Sequence, residues 1–140
     1  MSFETTITHN IMKYLNEMQY TVMEKVKGEA GCSGRADING CYHGHAVRIE
    51  VKTPDNRNKP TKKQLWNLLQ WNNAGALCMV TYSLSTVMSV FDELQNKTPL
   101  RGWKTFKELN KCVSVVLYPY SKINFDKLYS LYYTEGDTDD

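Results

Sequence analysis

Asp37 and the run Glu50-Val51-Lys52 are the residues of this 140-residue chain best suited to chemistry. An acid and a lysine two positions apart on a strand project from the same face. A second carboxylate beside them completes a divalent-cation pocket with a lysine at its edge, the minimal equipment for metal-assisted cleavage of a phosphodiester. Val47, Ile49 and Val51 alternate with Arg48, Glu50 and Lys52. One face therefore reads as core and the other as chemistry. The competing use of such an alternation is a solvated strand face.

The elements around the acids decide whether they meet. Ala36-Asp37-Ile38 and Val47–Val51 are both strand-like, with His43-Gly44 midway between them as a tight turn. An antiparallel hairpin centred on that turn sets Asp37 opposite Glu50, Ile38 opposite Ile49 and Ala36 opposite Val51. Directly opposed side chains lie roughly 4.5–5.5 Å apart at Cβ, where two carboxylates repel unless a cation lies between them. A rival turn at Asn39-Gly40, the stronger turn dipeptide, would put Asp37 opposite Tyr42 and lose the coincidence. Asp37 also follows a loop spaced by Gly28, Gly31 and Gly34.

Alternating helices and strands frame the hairpin. Ile7, Ile11, Leu15 and Met18 predict an amphipathic helix over about 4–19, with Glu4 one turn before Ile7 on the same stripe. Residues 20–26 alternate as a strand. A polar loop over 53–60 leads to Thr61 and Gln64, a capping box with Pro60 just outside it, opening a helix through Leu65, Trp66, Leu68, Leu69 and Trp71. Residues 76–82 read as a buried strand, 85–95 as a helix and 113–118 as a strand, while 99–109 is ambiguous.

Length and composition bound the class. The chain is expected to be one domain over residues 1–134, large enough for a core without staples, with an acidic tail, 135–140, expected to be disordered. The formal charge is +2. Setting aside the four acids of the tail leaves +6 for residues 1–134, a modest bias toward polyanions. No apolar run approaches the ~18 residues of a membrane span, and Met1–Thr5 has no basic stretch leading into an apolar one, so no signal peptide is expected. Cys32, Cys41, Cys78 and Cys112 form no C-x-x-C pair. They read as reduced thiols of an intracellular protein rather than zinc ligands. The spaced glycines lack the Gly-Lys-Ser/Thr ending of a phosphate-binding loop, so nucleotide hydrolysis is not expected.

The order of a helical Glu4, Gly34-x-x-Asp37, Ile49-Glu50-Val51-Lys52, Gln64 at a helix start and Gly75 before an apolar strand resembles the virus-type replication-repair nuclease domain. That domain is a branch of the PD-(D/E)xK nuclease superfamily. The resemblance covers about residues 4–83; residues 84–140 carry no motif of the family. The superfamily's proline-aspartate pair stands here as Ala36-Asp37, which removes no ligand. The resemblance implies an α/β fold with a restriction-endonuclease-like PD-(D/E)xK core, its mixed central sheet flanked by helices. It further implies a homodimer cutting branched DNA such as four-way (Holliday) junctions in repair, located in the cytoplasm, or in the host's if the chain is virus-encoded.

On that reading Asp37 and Glu50 bind Mg²⁺ or Mn²⁺ together with the Val51 carbonyl, a small ligand set of the kind Mg²⁺ accepts. Lys52 favours hydroxide and offsets transition-state charge. Glu4 is a candidate for a second metal, and its competing use is to favour the helix dipole. Gln64 orients the nucleophile or the lysine; its competing use is the capping box, and the two uses compete for one amide. Arg35, Arg57, Lys59, Lys62 and Lys63 are candidate phosphate contacts, aided by the helix start at Thr61, against a plain solvated surface. His43 and His45 are read as turn residues. Trp66 and Trp71 point to different sides of one helix, so at most one is core. Tyr118, Tyr120, Tyr129, Tyr132 and Tyr133 suit either an interface or carboxy-terminal packing. The functional alternatives are a nuclease on flap or duplex DNA and a catalytically silent DNA-binding module.

Overall fold

The computed structural model describes residues 3–26, 34–55, 58–96 and 100–134. In chain order the elements are α1 (Phe3–Asn16), β1 (Thr21–Lys25), β2 (Ile38–Tyr42), β3 (His45–Val51), α2 (Lys62–Asn73), β4 (Leu77–Thr81), α3 (Leu84–Asn96), β5 (Trp103–Lys107), a 3₁₀ turn (Leu109–Lys111), β6 (Val113–Leu117) and α4 (Phe125–Ser130). The six strands form one mixed sheet in the order β1-β2-β3-β4-β6-β5. Among the described residues only β3 and β4 run parallel, with α2 as their crossover. The fold is α/β, a mixed sheet flanked by helices.

The hairpin turns at His43-Gly44, both with positive φ (48° and 85°), as a two-residue turn matched to strand twist requires. The register pairs Ile38 with Ile49 and so sets Asp37 beside Glu50. Asn39-Gly40 instead lies inside β2. A side chain on Gly40 would run into the Val22 carbonyl and Met23 of β1, so this glycine serves a close approach between strands rather than a turn.

Strand alternation gives the sheet two apolar faces. Ile38, Val47, Ile49, Val51 and Met79 pack with Ile11 and Leu15 of α1 and with Val87, Val90 and Phe91 of α3. Cys78, Val80, Val115 and Leu117 on the opposite face pack with Leu65, Leu68 and Leu69 of α2 and with Leu128 of α4. β4 is buried along its whole length, as befits a central strand with helices on both sides. The ambiguous stretch after residue 99 contains β5, an edge strand, its Lys104 and Lys107 exposed as edge protection favours.

The aromatic residues fall within the expectations from sequence. Neither tryptophan of α2 is core: Trp66 is 53% exposed and Trp71 40%. Tyr118 and Tyr133 are buried, and the Tyr132 hydroxyl donates to the Val113 carbonyl at 2.7 Å, so much of the carboxy-terminal tyrosine set completes this chain's own core. No helix among the described residues is long and apolar enough to cross a membrane.

Candidate active site

Glu50 is the last but one residue of β3 and is 2% exposed. A carboxylate there stands against apolar neighbours and must be paired or neutral. Its Oε2 receives the Gln64 Nε2 amide at 2.8 Å and lies 3.3 Å from Lys52 Nζ. Its Oε1 is buried with no hydrogen-bond donor. Burial above all, then the Asp37 charge, pushes the Glu50 carboxyl up to about 8, with Lys52 opposing.

Asp37 precedes β2 and reaches the end of β3, where its Oδ2 accepts the Val51 N–H at 2.8 Å. Burial raises its carboxyl as well, opposed by that hydrogen bond and by Lys52. One proton held between two such carboxylates relieves their repulsion, and a cation would do the same. Glu4, on the first turn of α1, is raised by burial and then by Asp37, while Lys52 and Lys25 lower it. Among the described residues no three His, Cys, Asp or Glu side chains converge as a metal-ligand cluster. Glu4 thus neighbours the pair without completing a three-carboxylate set.

Gln64 caps α2 and reaches Glu50 at once. Its Oε1 accepts the Thr61 N–H at 2.9 Å, its own N–H donates to Thr61 Oγ1 at 3.1 Å, and its Nε2 is left for Glu50. The two ends of an amide are separate groups, one acceptor and one donor pair, so capping and site contact do not compete. The cap therefore aims the amide.

The connection from Lys52 to Thr61 is tied to the rest of the fold. Lys52 N–H donates to the Thr81 carbonyl at 2.9 Å. Tyr82 and Tyr133 hydroxyls donate to the carbonyls of Asn58 and Pro60 at 2.7 and 2.8 Å, and Asn110 Nδ2 donates to the Pro54 carbonyl at 2.6 Å. These four ties hold Lys52 and the start of α2 in place around Glu50.

The basic candidates divide. Arg35, Lys62 and Lys63 are exposed near the acids. Lys63 lies where a side chain on Gly34 would be, 2.9 Å from its ideal Cβ, and Gly34 has φ +91°, so that position favours glycine twice over. Lys59 turns inward, donating to the Tyr132 carbonyl at 3.3 Å and lying 4.1 Å from the Tyr133 ring centroid. It is engaged in holding the carboxy-terminal segment. Arg57 lies outside the described residues, as do Gly28, Gly31, Cys32 and the tail 135–140. His43 is exposed at the hairpin tip, edge-on to Tyr20.

Sequence reasoning missed Lys25, brought to the acids by β1–β2 pairing, and the pair Arg48–Trp71, whose guanidinium carbon lies 3.6 Å from the ring centroid. Alternation had put Arg48 on the Glu50 face, but nothing local could announce its tryptophan. No protein-family model matches this chain, and no curated protein matches it either.

Proposed function

We propose that this chain is a divalent-metal-dependent DNA endonuclease with a PD-(D/E)xK-type site, of the virus-type replication-repair nuclease kind. The observation that carries the reading is Glu50 Oε1, a buried carboxylate oxygen with no donor, next to a second carboxylate and flanked by a lysine and an amide. Two buried carboxyls with one oxygen left without a donor repel once both are charged, so the pair favours holding something positive, a proton or a cation. A divalent cation fits, because Mg²⁺ and Mn²⁺ take oxygen ligands and accept one or two carboxylates completed by water and phosphate oxygens. Asp37 and Glu50 would hold it, with the Val51 carbonyl as a further oxygen, and Glu4 would act from the second rank or through water. When bound, such a cation supplies Lewis-acid activation of water and of the phosphate.

The protein's own groups have distinct parts. Lys52, 3.3 Å from Glu50, places positive charge where an attacking water and the phosphate would meet, and favours the charge that develops in the transition state. Gln64 fixes the rotamer of Glu50 through one oxygen and leaves the other for the cation. The Val51 N–H holds Asp37 in place. Arg35, Lys62 and Lys63 offer sequence-independent attraction for phosphates.

The preferred substrate is branched DNA and the working form is a homodimer, since resolving a four-way junction takes two incisions and this chain carries one site. A two-fold dimer meets a two-fold substrate through an isologous interface. The test compares a four-way junction, a flap and a linear duplex with Mg²⁺, with Mn²⁺ and with EDTA. Cation-dependent cleavage of the junction above the others is the expected result, and no cleavage of any of them overturns the reading. Light scattering without DNA is expected to give twice the 16.2 kDa chain mass. A monomer that still cuts flaps would remove the junction-resolving form and keep the nuclease.

A further inference from the structure

Beside the acids the sheet lies open. On the face shared by Arg48 and Glu50, α2 and α4 cover β4 and β6, but among the described residues no helix covers β1 or β2 there. Val22 is 62% exposed, and Glu24 and Cys41 are exposed too. Arg48 stands at the border of this open area, two residues before Glu50 on β3.

Arg48 is partly buried, and nothing among the described residues answers its charge. Its guanidinium lies 3.6 Å from the Trp71 ring centroid and its Nη1 donates to the Val47 carbonyl at 2.8 Å. Among the described residues no carboxylate pairs with it. Cys78 beside it has a thiol pushed up to about 12 by burial, so it is neutral at physiological pH. Burial lowers the Arg48 pKa, and a second cation, Arg35, acts in the same direction. Glu24 lies on the same cross-strand row, but two strands away with Asn39 between them, about 9–10 Å off at the strand spacing. A partly buried arginine beside a second arginine is unfavourable by itself and becomes favourable when an anion arrives.

The anion has a natural identity. Residues i and i+2 of a strand are about 7 Å apart, comparable to the separation of successive phosphates along a nucleic-acid strand. We infer that Arg48, held over Trp71 with Arg35 as a second cation, clamps the DNA phosphate next to the one at Asp37 and Glu50, so that the bound strand runs along β3 at the border of the open face. The inference rests on the nuclease reading and adds to it a strand path and a positioning residue. Trp71 acts through Arg48: it sets the plane of the fork so that its outer N–H groups face the phosphate.

Binding of a fluorescent four-way junction and of a linear duplex, measured by anisotropy in EDTA over a series of salt concentrations, tests the clamp. Arg48→Ala should weaken binding of both DNAs about tenfold, the size of one charge-assisted contact. It should also lower the slope of log K against log salt by about 1. Arg48→Lys should recover the salt slope but not the full affinity, and Trp71→Ala should weaken binding less than Arg48→Ala while leaving the slope. In cleavage with Mn²⁺, Arg48→Ala should raise KM more than it lowers kcat. Arg48→Met keeps the packing on Trp71 and replaces the alanine variant if that one does not fold. Folded Arg48 variants with wild-type affinity and salt slope overturn the clamp, and a wild-type protein that still cuts DNA then leaves the nuclease standing. A wild-type chain that neither binds nor cuts DNA overturns both.

Discussion

Two glutamates of this chain are held in opposite ways. Glu108 accepts hydrogen bonds from three hydroxyls, those of Ser83, Thr86 and Ser114, and so joins the start of α3 to β6. Glu50, more deeply buried, has a lysine and an amide on one oxygen, nothing on the other, and a second carboxylate for a neighbour. Every contact of Glu108 is complete within the fold, so it stabilises. Glu50 keeps one oxygen without a donor beside a second carboxylate. The difference separates a carboxylate that serves the structure from one whose open oxygen the proposed cation would complete.

The sharpest break of that comparison is at the acids. Asp37→Asn and Glu50→Gln should each abolish cleavage while leaving the fold intact, and the melting temperature without metal should stay level or rise, since a repulsive charge is removed. Normal cleavage by Glu50→Gln would end the assignment of the site.

Lys52→Ala comes next. It should keep Mn²⁺-induced thermal stabilisation, because the carboxylates remain, and lose most turnover. Wild-type turnover in this variant would make Lys52 a plain ion-pair partner of Glu50.

Glu108→Ala should show the reverse pattern. It strands the hydroxyls of Ser114 and Thr86, both buried, and should cost about 2–4 kcal/mol in urea unfolding, with kcat of the folded protein unchanged. A drop in kcat without loss of stability would dissolve the contrast between the two glutamates.

The smallest effect is on pH. Glu50 titrates at about 8 in the folded chain, above the ordinary glutamate value that it has when unfolded. Between those values the folded state holds a proton that the unfolded state releases, so this group's contribution to stability falls as pH rises through the window and levels off above about 8. Metal-free wild type should lose stability across that range relative to Glu50→Gln, while Mn²⁺-induced stabilisation grows as the competing proton leaves. Parallel wild-type and Glu50→Gln stability profiles would show that Glu50 is not raised.

Much of the frame was legible because it is governed by short-range rules. Alternation placed Glu50 and Arg48 on one face of β3, the period of Ile7, Ile11 and Leu15 marked α1, and Thr61 with Gln64 marked the start of α2. The turn was harder. Asn39-Gly40 has the better local chemistry, but the glycine is needed where β1 and β2 approach, and a register that buries Ile38 and Ile49 together outweighs one dipeptide. β5 was ambiguous because an edge strand exposed along most of its length carries no clean apolar alternation.

By itself, the sequence determined which residues carry the charge and which elements carry the residues, since period and capping act over a few positions of backbone. Tertiary structure alone decided their surroundings. It turned the Gln64 amide to Glu50, left Glu50 Oε1 without a donor, sent Lys59 inward to Tyr133 and laid Arg48 on Trp71. Each of these outcomes depends on how closely separate elements pack and on how much water is excluded between them. Burial and long-range contact are properties of the assembled layers, so no local pattern of residues could specify them.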